Sequence, residues 1–225
     1  MSEVTTTTTS TSTNTEVQQP VEQSKEQYYE FLVILDFEAT CEENAKWPNQ
    51  EIIEFPSVIV NTKTLETVAT FREYCKPVYN PVLTKFCTEL TGIQQSTVDS
   101  ADTFNIVLQK QTQFLIDNGL LTESGGLKSD NKFIYVTCGD WDLQQAIRKQ
   151  SKLTNFQIPQ HLTRWINIKK VFQSFYQKNS YGMANMLREL KMPLEGRHHC
   201  GLSDCLNIAS ICKRMISEGC IFQKK

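Results

Sequence analysis

Residues 31–35 read FLVIL, an unbroken apolar run, and the chain then passes at once to Asp36-Phe37-Glu38. A short continuous apolar run of this kind predicts a buried strand. Side chains i and i+2 of a strand share a face, so Asp36 and Glu38 become near neighbours with Phe37 on the opposite face. Two carboxylates so close repel each other unless a cation sits between them. Hard divalent cations with oxygen ligands are the usual solution. The competing reading is that the strand stops at Asp36 and both acids are simply solvated.

The rest of the chain supplies partners for that strand. IIEFPSVIV (52–60) and LETVATFREYC (65–75) read as strands joined by an NTKT turn, a hairpin in which Pro56 predicts an edge position or a bulge. VLTKFCTEL is a helix closed by Gly92. A longer helix spans about 102–118, its inner stripe formed by Phe104, Val107, Leu108 and Leu115 and broken by Gln111. FIYVTC (133–138) and RWINI (164–168) are short strands, each leading into a helix, with Asp140 as an N-cap of the first. The final helix runs from about Ser203 to Glu218. Strands and helices in this order predict an α/β domain with a mixed sheet covered by helices. Residues 1–27 are Thr, Ser, Gln and Glu with almost nothing to bury, which predicts a disordered tail ahead of a folded domain at 28–225.

Charge is divided along the chain. Residues 1–140 hold 9 Lys and Arg against 20 Asp and Glu, whereas residues 141–225 hold 14 against 5. The basic half is either a track for a polyanion or a solvated surface. The eight cysteines are scattered, without C-x-x-C, and no apolar run is long enough for a signal or a membrane span. These features point to a reducing compartment, cytoplasmic and/or nuclear, with the thiols used mostly as small core residues.

Two further stretches carry acids. In CGDWDLQQAI, Asp140 and Asp142 follow a buried strand, where ligands of α/β proteins gather, although both would also suit a helix start. In GRHHCGLSD, His199 lies five residues before Asp204 across a glycine turn. The HHC-x4-C spacing is a weak zinc signal because no second ligand pair is visible. His161 and His198 read as surface histidines. Taken together, four carboxylates balance two divalent ions placed for an in-line phosphoryl displacement, and a histidine that titrates near neutrality can take the proton of the attacking water. That chemistry is phosphodiester hydrolysis.

The segments DFEATCE, EIIEFPSV, FCTELTGI, ADTF, WINI and HCGLSD resemble the DEDDh exonucleases, and within them the 3'–5' exoribonuclease branch that includes the histone-mRNA 3' exonuclease and the enhanced-RNAi nuclease. The resemblance covers about residues 30–220. It implies a ribonuclease H-like exonuclease fold, a five-stranded mixed sheet flanked by helices. It places Asp36, Glu38, Asp142 and Asp204 on the metal-ligand positions, Asp142 being preferred to Asp140 because it follows Trp141. His199 falls on the general-base position. Glu38 and Ala39, together with His199, fall where the terminal nucleotide is bound, with Phe37, Leu90 and Thr91 as further pocket residues. The resemblance implies two Mg2+ per site, with Mn2+ as a substitute, and RNA 3' ends, single-stranded or in short overhangs, as the partner. The histone-mRNA enzyme carries an extra nucleic-acid-binding domain before its nuclease domain. Here the corresponding region is the Thr-rich tail, so stem-loop recognition is not expected. A DNA exonuclease and a non-catalytic RNA-binding module are the alternative readings.

Overall fold

The apolar run forms β1 (Phe31–Leu35), and it lies inside the sheet with a neighbour on each side. The structure is a computed structural model describing residues 26–43 and 49–223. The tail read at 1–27 lies outside the described residues except for its last two. After β1 come β2 (Glu38–Ala39), β3 (Ile52–Asn61), β4 (Thr67–Lys76), α1 (Lys85–Thr91), α2 (Gln95–Asp99), β5 (Asp102–Thr103), α3 (Phe104–Asp117) and β6 (Phe133–Thr137). A π-helical turn at Asp142–Ala146 leads into α4 (Ile147–Thr154). β7 (Trp165–Asn167), α5 (Ile168–Tyr176), α6 (Met183–Glu189) and α7 (Gly201–Ser217) complete the described chain.

The sheet order is β5-β4-β3-β1-β6-β7, with β2 also paired to β3. β3 is antiparallel to β1 and β4, while β6 runs parallel to β1 and β7 parallel to β6. The sheet is therefore mixed, as expected, but has seven strands rather than five. β2 and β5 contain two residues each, too few to show a period of two in sequence.

Both faces of β1 are covered. Leu32 and Ile34 point into a core shared with Phe172 of α5, Met186 of α6, and Cys205, Ile208 and Cys212 of α7. Val33 and Leu35 point into the opposite core, with Phe104, Val107 and Leu115 of α3 and Ile147 of α4. β3 divides in the same way, with Val58 and Val60 towards α7 and Phe55 and Ile59 towards α3. Each such side chain contributes about 1.5–3 kcal/mol on burial, so the strands closest to the site are the most firmly held.

Local chemistry fixes the ends of several elements. The Asn61 side chain accepts the N–H groups of Lys63 and Thr64 (2.8 and 3.0 Å), which turns the β3–β4 hairpin. Thr84 caps α1 by accepting from Cys87 N, and Gly92 ends it at φ 79. Glu51, 1% exposed, accepts the backbone N–H groups of Val78, Tyr79 and Asn80 at 2.7, 2.9 and 2.8 Å, pinning the chain that leaves β4. All eight cysteines are free, and five are buried in the core.

Three expectations are corrected. Pro56 is not on an edge strand. β3 runs between β1 and β4, and Pro56 sits opposite Arg72 where β1 has ended, between the partners of Leu35 and Glu38. A missing N–H costs little at such an interruption. Asp140 does not cap a helix with its side chain; it accepts from Trp165 Nε1 (3.0 Å) and pairs with Lys170 (2.7 Å). His161 is not on the surface. It is 4% exposed in a 3-10 turn (Gln160–Thr163), stacks on Tyr135 with ring centroids 6.2 Å apart, and its Nε2 is buried without a partner.

Burial lowers the His161 pKa from 6.5 to about 4. Between those values the unfolded chain binds a proton that the native state refuses, so this residue makes stability fall as pH drops. The expected loss is up to roughly 3 kcal/mol. In urea unfolding from pH 6.5 down to about 4 the wild type should lose stability relative to His161→Gln, which keeps every other titrating group; a difference that stays constant with pH would remove His161 as a cause.

Candidate active site

Strand parity decides where the acids go. Asp36 and Glu38 continue the even-numbered face of β1, the face that holds Leu32 and Ile34 against α7. Phe37 turns the other way and packs edge-on against Phe55, centroids 4.7 Å apart. α7 lies against β3 and β1 on the acidic face. Asp204, in its first turn, therefore meets the strand acids. One oxygen from each of Asp36, Glu38 and Asp204 lies within 4.8 Å of the others.

Asp142 arrives from the end of β6, which is parallel to β1 and so finishes on the same side of the sheet. It is 4% exposed, and its Oδ1 accepts the Phe37 N–H at 2.8 Å, between the two strand acids. The π-helical turn that begins at Asp142 is a distortion common at functional sites. All four acids resist ionisation. Burial raises Asp36 well above the usual carboxylate range, and Asp142, Glu38 and Asp204 add to the effect. Burial and then the Glu54 carboxylate push Glu38 up to about 9. Burial is also the main cause for Asp142 and Asp204, both raised, opposed in each by backbone N–H donors.

A fifth carboxylate, Glu54, was not singled out from the sequence. It lies opposite Glu38 in the β2–β3 register and is fully buried. Its Oε1 pairs with Arg72 Nε at 2.8 Å, and its Oε2 accepts the Gly201 N–H at 3.2 Å. The lone acid inside IIEFPSVIV is the signal in the sequence, because an acid in so apolar a strand needs a partner. Gly201 has a reason of its own. A Cβ there would come within 2.9 Å of both the Asp36 carbonyl oxygen and Pro56 Cγ, so only glycine lets α7 begin this close to the strand. Helix α7 accordingly starts at Gly201 rather than near Ser203.

The loop before α7 is tied down at several points. Asn207 accepts from Glu195 N (3.0 Å) and donates to Glu195 O (2.8 Å). Arg197 donates to the carbonyls of Glu89 and Leu90 at the end of α1. His199 has φ 64, and its N–H donates to Asp204 Oδ2 at 2.9 Å. The residue lies at the surface with its ring partly covered, stacked on His198 with centroids 4.0 Å apart. Burial and then the neighbouring His198 and Arg197 lower its pKa, so the ring is neutral and able to accept a proton near neutral pH. Ala39 is buried and Leu90 and Thr91 lie at the end of α1, while part of the basic charge is matched internally through Lys170–Asp140, Lys178–Glu189 and Arg214–Glu218.

The acid cluster fits a divalent metal ion. Its donors are carboxylate oxygens, and Asp204 Oδ1 is buried without a hydrogen-bond partner. An unsatisfied buried carboxylate oxygen is costly, and a cation removes that cost together with the mutual repulsion.

The comparisons agree with this geometry. The exonuclease family model matches residues 33–212. The 3'-5' exoribonuclease 1 of Homo sapiens is 43% identical over 196 residues, 86% of this chain and 54% of that protein. This chain thus spans about half the length of the curated relatives it matches. The solved nuclease domain of 3'hExo, a DEDDh family member bound to rAMP, is 41% identical with a TM-score of 0.81, covering 87% of this chain and 96% of that one. The structure described as 3'-end-specific recognition of histone mRNA stem-loop by 3'-exonuclease gives 40% identity and a TM-score of 0.82 over 88% of this chain and 67% of that one. The chain belongs to the DEDDh exonuclease family. Among the described residues, no helix is long and apolar enough to cross a membrane.

Because the four acids bind protons more readily folded than unfolded, the metal-free protein should lose stability as pH rises from the ordinary carboxylate range towards about 9. Added divalent cation should flatten that dependence. At about pH 8 in chelator, Asp36→Asn should be more stable than the wild type by roughly 1–2 kcal/mol, allowing for the residue's partial exposure. Urea midpoints measure this, and a less stable variant would show that Asp36 is not under repulsion.

Proposed function

We propose that this chain is a divalent-metal-dependent 3'–5' exoribonuclease that hydrolyses RNA phosphodiester bonds and releases nucleoside 5'-monophosphates. The observation that carries the proposal is the meeting of Asp36, Glu38 and Asp204 within 4.8 Å, with Asp204 Oδ1 lacking any partner and His199 on the adjoining turn. The relatives support the choice of RNA, since they are named 3'-5' exoribonucleases and one was solved bound to rAMP.

In this reading Asp36, Glu38, Asp142 and Asp204 hold two Mg2+ ions, for which Mn2+ can substitute. When bound, such ions supply an activated water and positive charge for the attacking and leaving oxygens. Neutral His199 takes the proton of the attacking water at a ring nitrogen, with its backbone held by Asp204 Oδ2. Glu38 and Ala39 border the terminal nucleotide, and the pairing of β2 with β3, through a register shift between these two residues, fixes their backbone. In this reading the exonuclease domain begins near Tyr28. Distinguishing RNA from DNA at the terminal nucleotide requires a contact to the 2'-hydroxyl.

The test uses 5'-labelled RNA and matched DNA, single-stranded and with 3' overhangs, in Mg2+ or chelator. Wild type should shorten RNA from the 3' end, release 5'-monophosphates and stop in chelator. Asp142→Asn should lower turnover by at least about 100-fold with RNA binding nearly intact. Wild-type trimming by that variant in Mg2+ would overturn the metal assignment, and preferential decay of DNA would overturn the substrate.

A further inference from the structure

His198 has no part in the reading above, yet its ring lies against that of His199. The geometry points to a second metal site, made by His198, His199 and Asp204, for a borderline transition-metal ion of the zinc(II) class. A ring nitrogen of each histidine and an oxygen of Asp204 all lie within 4.8 Å of one another. The rings are nearly parallel, 17° apart with centroids separated by 4.0 Å. Consecutive side chains usually diverge. Here the left-handed backbone of His199, at φ 64, accompanies their stacking, and Asp204 Oδ2 holds that turn through the His199 N–H.

The donor set decides which ion fits. Two imidazole nitrogens and one carboxylate oxygen suit zinc, which binds such ligands at about 2.0–2.2 Å and often keeps a fourth position for water. Magnesium prefers oxygen ligands and keeps several waters, so it favours the carboxylate cluster instead. Cys200, next in sequence, is directed elsewhere, its Sγ lying 3.5 Å from Arg72 Nη2. The site is thus His-His-Asp, not the His-His-Cys that the sequence spacing suggests. Asp204 Oδ1 is buried and unpartnered, so the carboxylate that the two sites would share still lacks a ligand. The donors must close to the roughly 3.4 Å edges of a tetrahedron around zinc, and rotation of the solvent-accessible His198 ring can bring this about.

Occupancy would have a consequence. The ion would take up the lone pair of His199 and share Asp204 with the carboxylate cluster, so it should inhibit hydrolysis even in excess Mg2+. This consequence rests on the exonuclease reading; binding itself does not.

The experiment uses the full chain as wild type, His198→Ala and His198→Asn. Zinc affinity is read by competition with a chromophoric chelator, cobalt(II) occupancy by visible absorption, and RNA trimming in excess Mg2+ by gel. Wild type should bind zinc about tenfold or more tightly than either variant and show intense tetrahedral cobalt bands that both variants lack. The variants should trim RNA at the wild-type rate in Mg2+ and need at least about tenfold more zinc for inhibition. Equal zinc affinity and equal cobalt spectra in wild type and variants would overturn the site, as would inhibition at the same zinc concentration in all three. His198-dependent zinc binding by a protein that never degrades RNA in Mg2+ would uphold the site and overturn the exonuclease reading.

Discussion

The structure depends on holding like charges together where water is scarce. Asp36, Glu38 and Asp204 crowd into one small region, Asp142 is buried beside them, and Glu54 stands behind. Each acid is shifted towards its protonated form by burial and, for Asp36, Glu38 and Asp204, by its neighbours. An isolated cluster of this kind would spread apart. It persists because β1 is buried on both faces and α7 packs across β3 and β1 along most of an apolar face. The cost of the site, several kcal/mol per buried charge, is met by packing elsewhere, and a bound cation would repay it.

Around that cluster are contacts whose purpose is position. Arg72 neutralises Glu54, which in turn receives the first N–H of α7. Gly201 lets the helix approach the end of β1, and Arg197 ties the histidine loop to the end of α1, where Leu90 and Thr91 lie. Asp204 serves twice, one oxygen fixing the turn at His199 and the other buried without a partner, while the side chain as a whole reaches the acid cluster. His199 and the acids are thereby linked through a single side chain, so movement of α7 would disturb both.

Most of this was legible along the chain. The apolar runs gave β1, β3 and β6, the Asn61 turn gave the hairpin, and Gly92 gave the end of α1, because each rests on local chemistry. Parity along the strand placed Asp36 and Glu38 on one face, and family resemblance chose Asp142 over Asp140. The failures share one cause. His161, Pro56, Asp140 and Glu54 are decided by residues distant in sequence: Tyr135 beneath the imidazole, the gap between β1 and β2, Trp165 and Lys170, and Arg72 with Gly201.

The sequence by itself determined the strand order of events: which runs are buried, which acids follow them, and that a histidine precedes the last helix. These follow from periodicity and local capping, which act over a few residues. Only the tertiary structure decided that Asp36, Glu38 and Asp204 meet within 4.8 Å, that Glu54 stands behind them, and that His198 stacks on His199. Those contacts require parallel pairing of β1 with β6 and the docking of α7, and such long-range packing has no local signature.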